Sequence, residues 1–283
     1  MTDIETLHTV AELRARVRAW RANGERVALV PTMGALHAGH VALMEAAHRH
    51  ADRIVVSIFV NPTQFAPTED LARYPRTLDA DRDKASAAGV DVAFAPDAVE
   101  MYPNGFATTV SLAGPALGLE TDFRPTHFAG VATVVAKLFT QTTPDVALFG
   151  EKDYQQLAVV TRMARDLDLP VQVIGVPTVR ESDGLALSSR NIYLSAEERR
   201  TAPLLYRALN EAAGAIRSGL PVAGAIEAAR DAVRQGGFAL DYLDARHAET
   251  LAPIAALGDG PIRLLVAARL GATRLIDNIP VPD

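Results

Sequence analysis

Short apolar runs alternate with longer segments of helical spacing through the first part of the chain. Thr9 and Glu12 have the spacing of a capping box, which predicts a first helix that ends near Gly24. Strands that alternate with helices form β-α-β units, so the pattern predicts a mostly parallel sheet with helices on both faces. The runs with the length and apolar content of buried strands are residues 26–30, 53–60, 91–95, 145–149 and 171–176.

The pattern changes near Val179. Ser195 and Glu198 again have the spacing of a capping box, and we expect a long alanine-rich helix from there through Arg217. We therefore predict an α/β fold, with a Rossmann-like, mostly parallel sheet domain over residues 1–178 and a smaller C-terminal α+β domain over residues 179–283. The second domain is predicted from one further helix and three strand-like runs, at residues 222–234, 238–246, 263–270 and 273–281.

Composition narrows the classes of function. The 283 residues carry a formal net charge of −6, whereas a surface that binds many nucleic-acid phosphates requires a basic patch, so we expect no nucleic-acid partner. No apolar run approaches the roughly 20 residues that span a bilayer, and the acidic N-terminal segment does not fit a secretory signal. We therefore expect a cytoplasmic protein without membrane association. The absence of cysteine excludes disulfides and thiol catalysis.

The stretch PTMGALHAGH, residues 31–40, lies where a strand-like run leads into a predicted helix. The first turn of a helix presents unpaired backbone N–H groups and the positive end of the helix dipole, which together favour an anion. If the helix begins near Ala38, three-residue spacing places His37 and His40 on one face, where both rings reach one ligand. The glycines of the stretch let that ligand approach the backbone. The stretch therefore predicts a phosphate-binding site.

Other interpretations of this stretch fit the rest of the sequence less well. The chain has neither the P-loop string G-x-x-x-x-G-K-[ST] nor a G-x-G-x-x-G after a predicted strand, so these common nucleotide-binding loops are excluded. A zinc site is disfavoured because H-E-x-x-H and cysteine are both absent. Two solvated histidines at a helix start are the simplest alternative.

Two more polar clusters follow strand-like runs, and ligands of parallel sheets bind at the carboxyl ends of strands. In FVNPTQF, Gln64 is placed to recognise a polar substrate, although most loop glutamines face water. In GEKDYQQL, Asp153 and Gln156 have the spacing of a helix cap and its N3 partner. That spacing places Lys152 beside backbone donors suited to polyphosphate. A capped helix with solvated charges is the alternative.

A further cluster, ESDGLALSSRN, lies at the predicted domain boundary and suits a closing loop. Ser188 and Ser189 can donate to phosphate oxygens while Arg190 supplies a bidentate charge, although an ordinary polar turn is equally compatible. The segments RPTHFAG and YPRTLDAD are weaker indications, because proline-flanked polar residues often mark only helix starts. Asp79 and Asp81 could help hold Mg²⁺, but solvated carboxylates are the simpler interpretation.

Taken together and in this order, the motifs resemble the pantothenate synthetase, or pantoate–β-alanine ligase, family. The resemblance extends from residue 31 to the final strand-like runs, where LLVAARLGATRLIDNI is also similar to the family. HAGH is similar to the HIGH signature of nucleotidyltransferases and class I aminoacyl-tRNA synthetases, and LSSRN to their KMSKS loop. The resemblance implies ATP-dependent condensation of (R)-pantoate with β-alanine through a pantoyl-adenylate, giving pantothenate, AMP and diphosphate.

The resemblance also implies roles for individual residues. Gln64 and Gln156 are implied to bind pantoate, and Gln64 is implied to bind β-alanine as well. The implied catalytic groups, of which His40 is the family's acid, are His37, His40, Lys152 and Arg190. The implied ATP-binding residues are Met33, Gly34, Ala35, Leu36, His37, Ala38, Gly39, His40, Gly150, Glu151, Lys152, Asp153, Val179, Leu187, Ser188, Ser189 and Arg190.

Mg²⁺ is the implied cofactor, with ATP as co-substrate and Asp81 as the implied metal ligand. The chain departs from the family at Leu187, where many members have methionine, and at Ala80, where an acidic residue often precedes Asp81. The first change conserves volume, whereas the second removes a carboxylate beside the implied ligand. Family members are generally homodimers, so we expect a homodimer, and we expect residues 184–191 or the second domain to close over the site.

Two other classes of function are compatible with the phosphate-binding motifs. One is a nucleotidyltransferase that leaves the nucleotide on its product, and it differs from the ligase in having no joining step. The other is a non-catalytic nucleotide-binding regulator, against which the intact Lys152, Arg190 and histidine pair argue.

Overall fold

Six parallel strands form the main sheet of the computed structural model, which describes residues 4–65 and 71–282. Every pairing in this sheet is parallel, which confirms the predicted fold class. The strands are β1 Glu5–Leu7, β2 Val27–Thr32, β3 Arg53–Ile58, β4 Val92–Phe94, β5 Val146–Gly150 and β6 Gln172–Val176. The sequence pattern does not predict β1, because this three-residue edge strand buries only Leu7 and leaves no apolar run.

The helices of this part pack on both faces of the sheet. On β2, Leu29 belongs to the core beneath the first, sixth and seventh helices, and Val30 to the core beneath the second and third. Both faces are buried, so the strand is a continuous apolar run rather than an alternating one. The helices are α1 Val10–Ala22, α2 Ala38–Ala47, α3 Leu78–Ala87, α4 Ala98–Met101, α5 Glu120–Phe123, α6 His127–Thr142 and α7 Tyr154–Asp166.

The strand order places a crevice at the carboxyl ends of β2 and β5. Spatially the strands run β1-β4-β3-β2-β5-β6, so the chain builds β3 and β4 on one side of β2 and then crosses to build β5 and β6 on the other. Adjacent strands whose connections leave in opposite directions open a crevice between their following loops, and ligands of such sheets bind there. The segments that begin at residues 33 and 151 follow these two strands.

A separate hydrophobic core lies within residues 185–281, on the other side of the predicted boundary at residue 178. Two helices, Leu204–Arg217 and Val222–Gln235, supply its helical side, and an antiparallel sheet of order β7-β8-β9 supplies the other. The elements are α8 Ala196–Thr201, α9 Leu204–Arg217, α10 Val222–Gln235, β7 Ala239–His247, β8 Ile262–Leu270 and β9 Thr273–Pro280. The predicted domain ranges also include residues 1–3, 66–70 and 283, which lie outside the described residues.

The long helix predicted from Ser195 through Arg217 is interrupted. The capping box of Ser195 and Glu198 is present, but the helix that it opens ends at Thr201 and a new helix begins at Leu204. Pro203 between them lacks a backbone N–H, so it cannot continue the hydrogen-bond ladder of the first helix. The capping box at Thr9 and the helix that follows it are confirmed.

The two parts of the chain meet at a buried ion pair. Arg274 of β9 donates to both carboxylate oxygens of Glu120 at 2.8 Å each, and the Tyr242 hydroxyl donates to one of them at 2.8 Å. Among the residues that the structure describes, no helix combines the length and apolar character needed to cross a bilayer.

Candidate active site

A cavity lies over the carboxyl ends of β2 and β5 and is bounded by the segment of residues 187–190. Most of the residues predicted to form the site line this cavity, although they come from segments far apart in sequence. They are Met33, His37, Gly39, His40, Gln64, Gly150, Lys152, Asp153, Gln156, Val179, Leu187, Ser188, Ser189 and Arg190.

The two histidines have defined tautomers at the start of α2. The helix begins at Ala38 as predicted, with His37 as its N-cap, and the Nδ1 atom of His37 accepts from the Gly39 N–H at 3.1 Å. The Nδ1 atom of His40 accepts from the His37 N–H at 3.2 Å. A neutral imidazole whose Nδ1 accepts carries its proton on Nε2. Each ring therefore offers an Nε2–H donor, and the ring centroids lie 4.2 Å apart.

Both histidines are neutral near pH 7. Burial, and then the neighbouring His37, lower the pKa of His40 to about 3. Burial, followed by the positive charge of Lys152, also lowers the pKa of His37. The pair is therefore suited to donating hydrogen bonds to phosphate oxygens as neutral rings rather than to supplying an acidic imidazolium.

The loop before α2 is held by Asp81 of α3. The fully buried carboxylate of Asp81 accepts from the backbone N–H of Ala35 at 2.9 Å and of Leu36 at 2.7 Å. Ala35 has a positive φ of 51°, a conformation that a side chain rarely adopts without such support. Gly34, Ala35 and Leu36 thus shape the loop and do not line the cavity.

The geometry gives no support to the magnesium role implied for Asp81. Both of its carboxylate oxygens are used by backbone donors, and one also accepts from the Thr77 hydroxyl at 3.1 Å. Over residues 4–65 and 71–282, no group of three or more His, Asp and Glu side chains is arranged to hold a metal ion. Asp81 is therefore a structural support of the loop.

A single 3₁₀ turn, Glu151–Asp153, follows β5 and carries Lys152 into the cavity wall. Asp153 is the N-cap residue of α7, as its spacing predicts, but its side chain makes no cap hydrogen bond there. Its carboxylate instead lies 3.7 Å from the Lys152 ammonium. Glu151 points away from the cavity and pairs with Arg263 at 3.0 Å, and Ala38 is exposed on α2.

Gln64 is buried beside the cavity, at the end of the 3₁₀ turn Pro62–Gln64. Its Oε1 accepts from the Asn61 amide at 3.0 Å, and its Nε2 lies 2.9 Å from the Met33 sulfur. The loop lies so close to α6 that a Cβ on Gly130 would overlap with the Thr63 carbonyl oxygen. A thioether is a weak acceptor, so the Gln64 N–H can exchange this contact for a stronger one with a substrate oxygen.

Arg124 and His127, which the sequence indicates only weakly, also lie on the cavity wall. The His127 Nδ1 lies 2.9 Å from the Gln64 carbonyl oxygen, and Arg124 donates to the same oxygen at 3.3 Å. The helix start that the RPTHFAG motif predicts is therefore real, and it also brings a guanidinium to the site. The motif alone does not indicate this second role, because the role depends on the close packing of α6 on the Gln64 loop.

Residues 187–190 form a further part of the cavity wall. Ser188 caps the 3₁₀ turn Ser189–Tyr193 by accepting from the Arg190 N–H at 3.2 Å. The Leu187 N–H donates to the Val179 carbonyl at 3.0 Å, so both residues are held at the base of this segment. The segment therefore presents hydroxyls and a guanidinium on a backbone that is locally ordered.

Hydrogen-bond donors and cations at the switch point of a parallel sheet are typical of enzymes that act on nucleotide phosphates. Fold and site assign the protein to this class of α/β enzyme. The chain belongs to the pantoate-beta-alanine ligase family, whose model matches residues 5–280. It is therefore a ligase of pantothenate biosynthesis, as the motifs imply.

Known relatives match nearly the whole chain. The pantothenate synthetase of Rhodopseudomonas palustris strain BisA53 is 62% identical over 274 residues, which are 96% of this chain and 97% of the relative. A crystal structure of pantothenate synthetase from Thermus thermophilus superposes with a TM-score of 0.92 at 53% identity, covering 99% of this chain and 100% of that one. The pantoate-beta-alanine ligase from Francisella tularensis, complexed with beta-gamma ATP and beta-alanine, has a TM-score of 0.83 at 32% identity and covers 98% of each chain.

Proposed function

We propose that the cavity over β2 and β5 activates the carboxylate of (R)-pantoate with ATP and then joins the pantoyl group to the amine of β-alanine. The observation that carries the proposal is the convergence of two neutral Nε2–H donors, Lys152 and the buried Gln64 on one cavity. The family of the chain supports the same assignment, as do the beta-gamma ATP and beta-alanine bound by the Francisella tularensis ligase.

In the first step, a pantoate carboxylate oxygen attacks the α-phosphorus of ATP. The bond from that phosphorus to the oxygen bridging to the β-phosphate breaks, and diphosphate leaves with the electron pair. Negative charge grows on the phosphoryl oxygens, so fixed donors that face them lower the barrier. His37 and His40 supply Nε2–H donors, while Lys152 supplies a mobile cation.

Arg190 and the two serines beside it complete the phosphate-binding side of the cavity. A guanidinium binds two phosphate oxygens at once, and hydroxyls donate to others. Their segment and the start of α2 line the same cavity, so a triphosphate bound there contacts donors from both. Holding the carboxylate and the α-phosphorus in line is worth roughly 7 to 11 kcal/mol of the barrier, the largest contribution that we assign to this site.

Gln64 and Gln156 bind the pantoate in this account. Asn61 orients the Gln64 amide by donating to its Oε1 at 3.0 Å, so the Nε2–H groups face the cavity side and can bind a hydroxyl or carboxylate oxygen. Gln156, in the first turn of α7, lines the same cavity. Gln64 also contacts β-alanine, because the amine must approach the carbon that the pantoate carboxyl presents.

In the second step, the uncharged amine of β-alanine attacks the carbonyl carbon of the pantoyl-adenylate. The carbon–nitrogen bond forms, the carbon–oxygen bond to the phosphate breaks, and AMP leaves while the amine loses a proton to solvent. No protein nucleophile is required, which agrees with a chain that has no cysteine. The mixed anhydride hydrolyses in water, so we propose that residues 184–191 or the second domain close over it.

In the proposed reaction, Mg²⁺ reaches the site bound to ATP. The described residues form no cage of carboxylates, and Asp81 is committed to the backbone, so the protein does not fit a resident magnesium ion. Phosphate oxygens and water are the usual ligands of Mg²⁺ in such sites. We assign no catalytic step to the ion.

We further propose that the protein acts as a homodimer in the cytoplasm on small molecules only. The net charge of −6 disfavours polyanionic partners such as nucleic acids. The molecular mass in solution, measured by light scattering during gel filtration, tests the assembly. A homodimer gives twice the chain mass of 30.2 kDa, and a single-chain mass would contradict it.

Product analysis with and without β-alanine tests the proposed reaction. With ATP, pantoate and Mg²⁺ alone, we expect at most about one diphosphate per active site, because the adenylate stays bound. Addition of β-alanine should then give AMP, diphosphate and pantothenate in equal amounts. Accumulation of a nucleotide-linked product over many turnovers would instead support the nucleotidyltransferase alternative.

A further inference from the structure

Two consecutive residues of β9 contact two different segments of the cavity. Asn278 is buried, with 3% of its surface exposed, and its Nδ2 donates to the backbone carbonyls of Glu151 at 2.9 Å and Lys152 at 2.8 Å. Asp277 is also buried and pairs with Arg180, at the base of the segment that carries Arg190. The sheet of the second part of the chain thus contacts both phosphate-binding segments.

The orientation of the Asn278 amide is fixed by Arg263 of β8. The Arg263 Nε donates to the Asn278 Oδ1 at 2.7 Å, so the amide nitrogen must face the two carbonyls. Arg263 also donates to the Glu151 carboxylate at 3.0 Å, and its guanidinium lies 4.0 Å from the centroid of the Tyr154 ring. Both ends of the 3₁₀ turn that carries Lys152 are therefore tied to the second sheet.

Asp277 acts on the other segment through Arg180. The Arg180 guanidinium donates to the two Asp277 carboxylate oxygens at 2.6 and 2.8 Å and to the Gly184 carbonyl at 3.0 Å. Arg180 also forms an isolated β-bridge with Ala186, just before residues 187–190. The base of that segment is thus fixed to the residue that precedes Asn278.

We propose that Asn278 is a positioning residue that sets the direction of the Lys152 side chain, and that Asp277 and Asn278 together fix the spacing between Lys152 and Arg190. The inference rests on the proposed function, because it holds that the Lys152 turn is kept in place for the adenylation step. Asn278 does not contact substrate in this account. Misplacement of a reacting group by about 1 Å costs up to roughly a hundredfold in rate, so loss of the two hydrogen bonds has a measurable effect.

Asn278→Ala is the direct test, with Ile279→Ala as its matched control. Ile279 follows on the same strand but packs into the second core, so its truncation disturbs β9 without touching the Lys152 turn. We expect Asn278→Ala to lower the adenylation rate by about tenfold or more at saturating ATP, and Ile279→Ala to change it less than about twofold. Equal losses in the two variants would show a merely structural role and overturn the inference.

A double-mutant cycle with Lys152→Ala tests whether Asn278 acts through Lys152. If it does, Asn278→Ala costs about tenfold in the wild-type background and less than about twofold when Lys152 is already absent. Losses that multiply in the double variant would mean that Asn278 acts by another route, and would overturn the inference.

Hydrogen exchange of residues 150–155, measured without substrates, separates this inference from the proposed function. We expect exchange in this segment to rise about tenfold in Asn278→Ala and to stay unchanged in Ile279→Ala. Unchanged exchange in Asn278→Ala would overturn the inference even if the wild type makes pantothenate. A wild type that makes none would overturn the proposed function, whereas the exchange result would still decide whether Asn278 holds the turn.

Asn278→Ser takes the place of the alanine variant if that variant does not fold. Its hydroxyl keeps a polar group in the buried site but is too short to reach both the Glu151 and Lys152 carbonyls. The same losses in adenylation and protection are expected, and wild-type behaviour in both measurements would overturn the inference.

Discussion

At the scale of single residues, hydrogen bonds to the backbone decide what the histidine pair can do. His37 and His40 each use Nδ1 as an acceptor for an N–H at the start of α2, which leaves Nε2–H as the donor toward the cavity. The H-x-x-H spacing predicts that the rings are neighbours, and the sequence also indicates a phosphate ligand. The sequence does not reveal the tautomer or the neutral charge state of the two rings, because both depend on burial and on contacts formed only in the fold.

His40→Ala and Lys152→Ala should each lower adenylation by about a hundredfold or more, the scale of removing one transition-state donor. Diphosphate release in the first turnover is the measurement. The matched control is His48→Ala, because His48 is exposed at the far end of α2 and its ring contacts the Ala88 carbonyl oxygen, away from the cavity residues. Near-normal rates in the first two variants would remove these residues from the mechanism.

The low pKa of His40 also predicts how the stability of the folded protein depends on pH. The folded-state pKa is about 3, whereas the ordinary value is 6.5, so the unfolded chain binds more protons between these values. Stability should therefore fall as the pH is lowered through this window, by about 1–2 kcal/mol between pH 7 and pH 5 from this residue alone. Urea unfolding at both pH values should show a smaller loss in His40→Asn, and identical losses in the two proteins would contradict the low pKa.

At the scale of elements, the positions of strands follow from sequence more directly than their junctions do. The buried strands β2, β3 and β5 are continuous apolar runs because both of their faces are covered. The edge strand β1 and the break at Pro203 lack such a signal, and the contacts of β9 with the cavity segments join residues 97 to 127 positions apart. The candidate site was thus predictable where it follows strand ends, and not where a distant sheet supports it.

The contact between α6 and the Gln64 loop gives an element-scale prediction. Gly130→Ala places a Cβ where the Thr63 carbonyl oxygen lies, so the loop must shift and the KM for pantoate should rise at least about tenfold. Gly214→Ala in α9 is the matched control, since a Cβ there meets no atom within 4 Å. That variant should gain about 0.5–1 kcal/mol of stability from helix propensity without any change in KM. An unchanged pantoate KM in Gly130→Ala would show that the loop does not bind pantoate.

At the scale of the whole molecule, a buried ion pair links the two parts of the chain. Burial raises the pKa of Glu120, but the hydrogen bonds and charge of Arg274 outweigh it and hold that pKa below its ordinary value. A buried pair of this kind gives little net stability over an apolar pair, yet removing one partner leaves an uncompensated charge. The pair therefore fixes how the second part sits beside the cavity.

Arg274→Met should lower the free energy of unfolding by about 3–5 kcal/mol, because buried Glu120 loses both hydrogen bonds from this guanidinium and Asp241 loses its own. Chemical denaturation measures the loss. The double variant Arg274→Met with Glu120→Gln should recover part of it, since the buried Glu120 carboxylate is then neutral and only Asp241 still lacks its bond from Arg274. A loss in the double variant equal to the sum of the single losses would show that the two residues do not act as a pair.

The central claim is that a pantoate oxygen becomes bonded to the α-phosphorus of ATP in the cavity over β2 and β5. Pantoate labelled with ¹⁸O in its carboxylate tests this directly when ATP, Mg²⁺ and β-alanine are present and the AMP is analysed by mass spectrometry. We expect one ¹⁸O atom in AMP for every pantothenate formed, because the bridging oxygen leaves with the phosphate. Unlabelled AMP, or ADP and phosphate in its place, would contradict it.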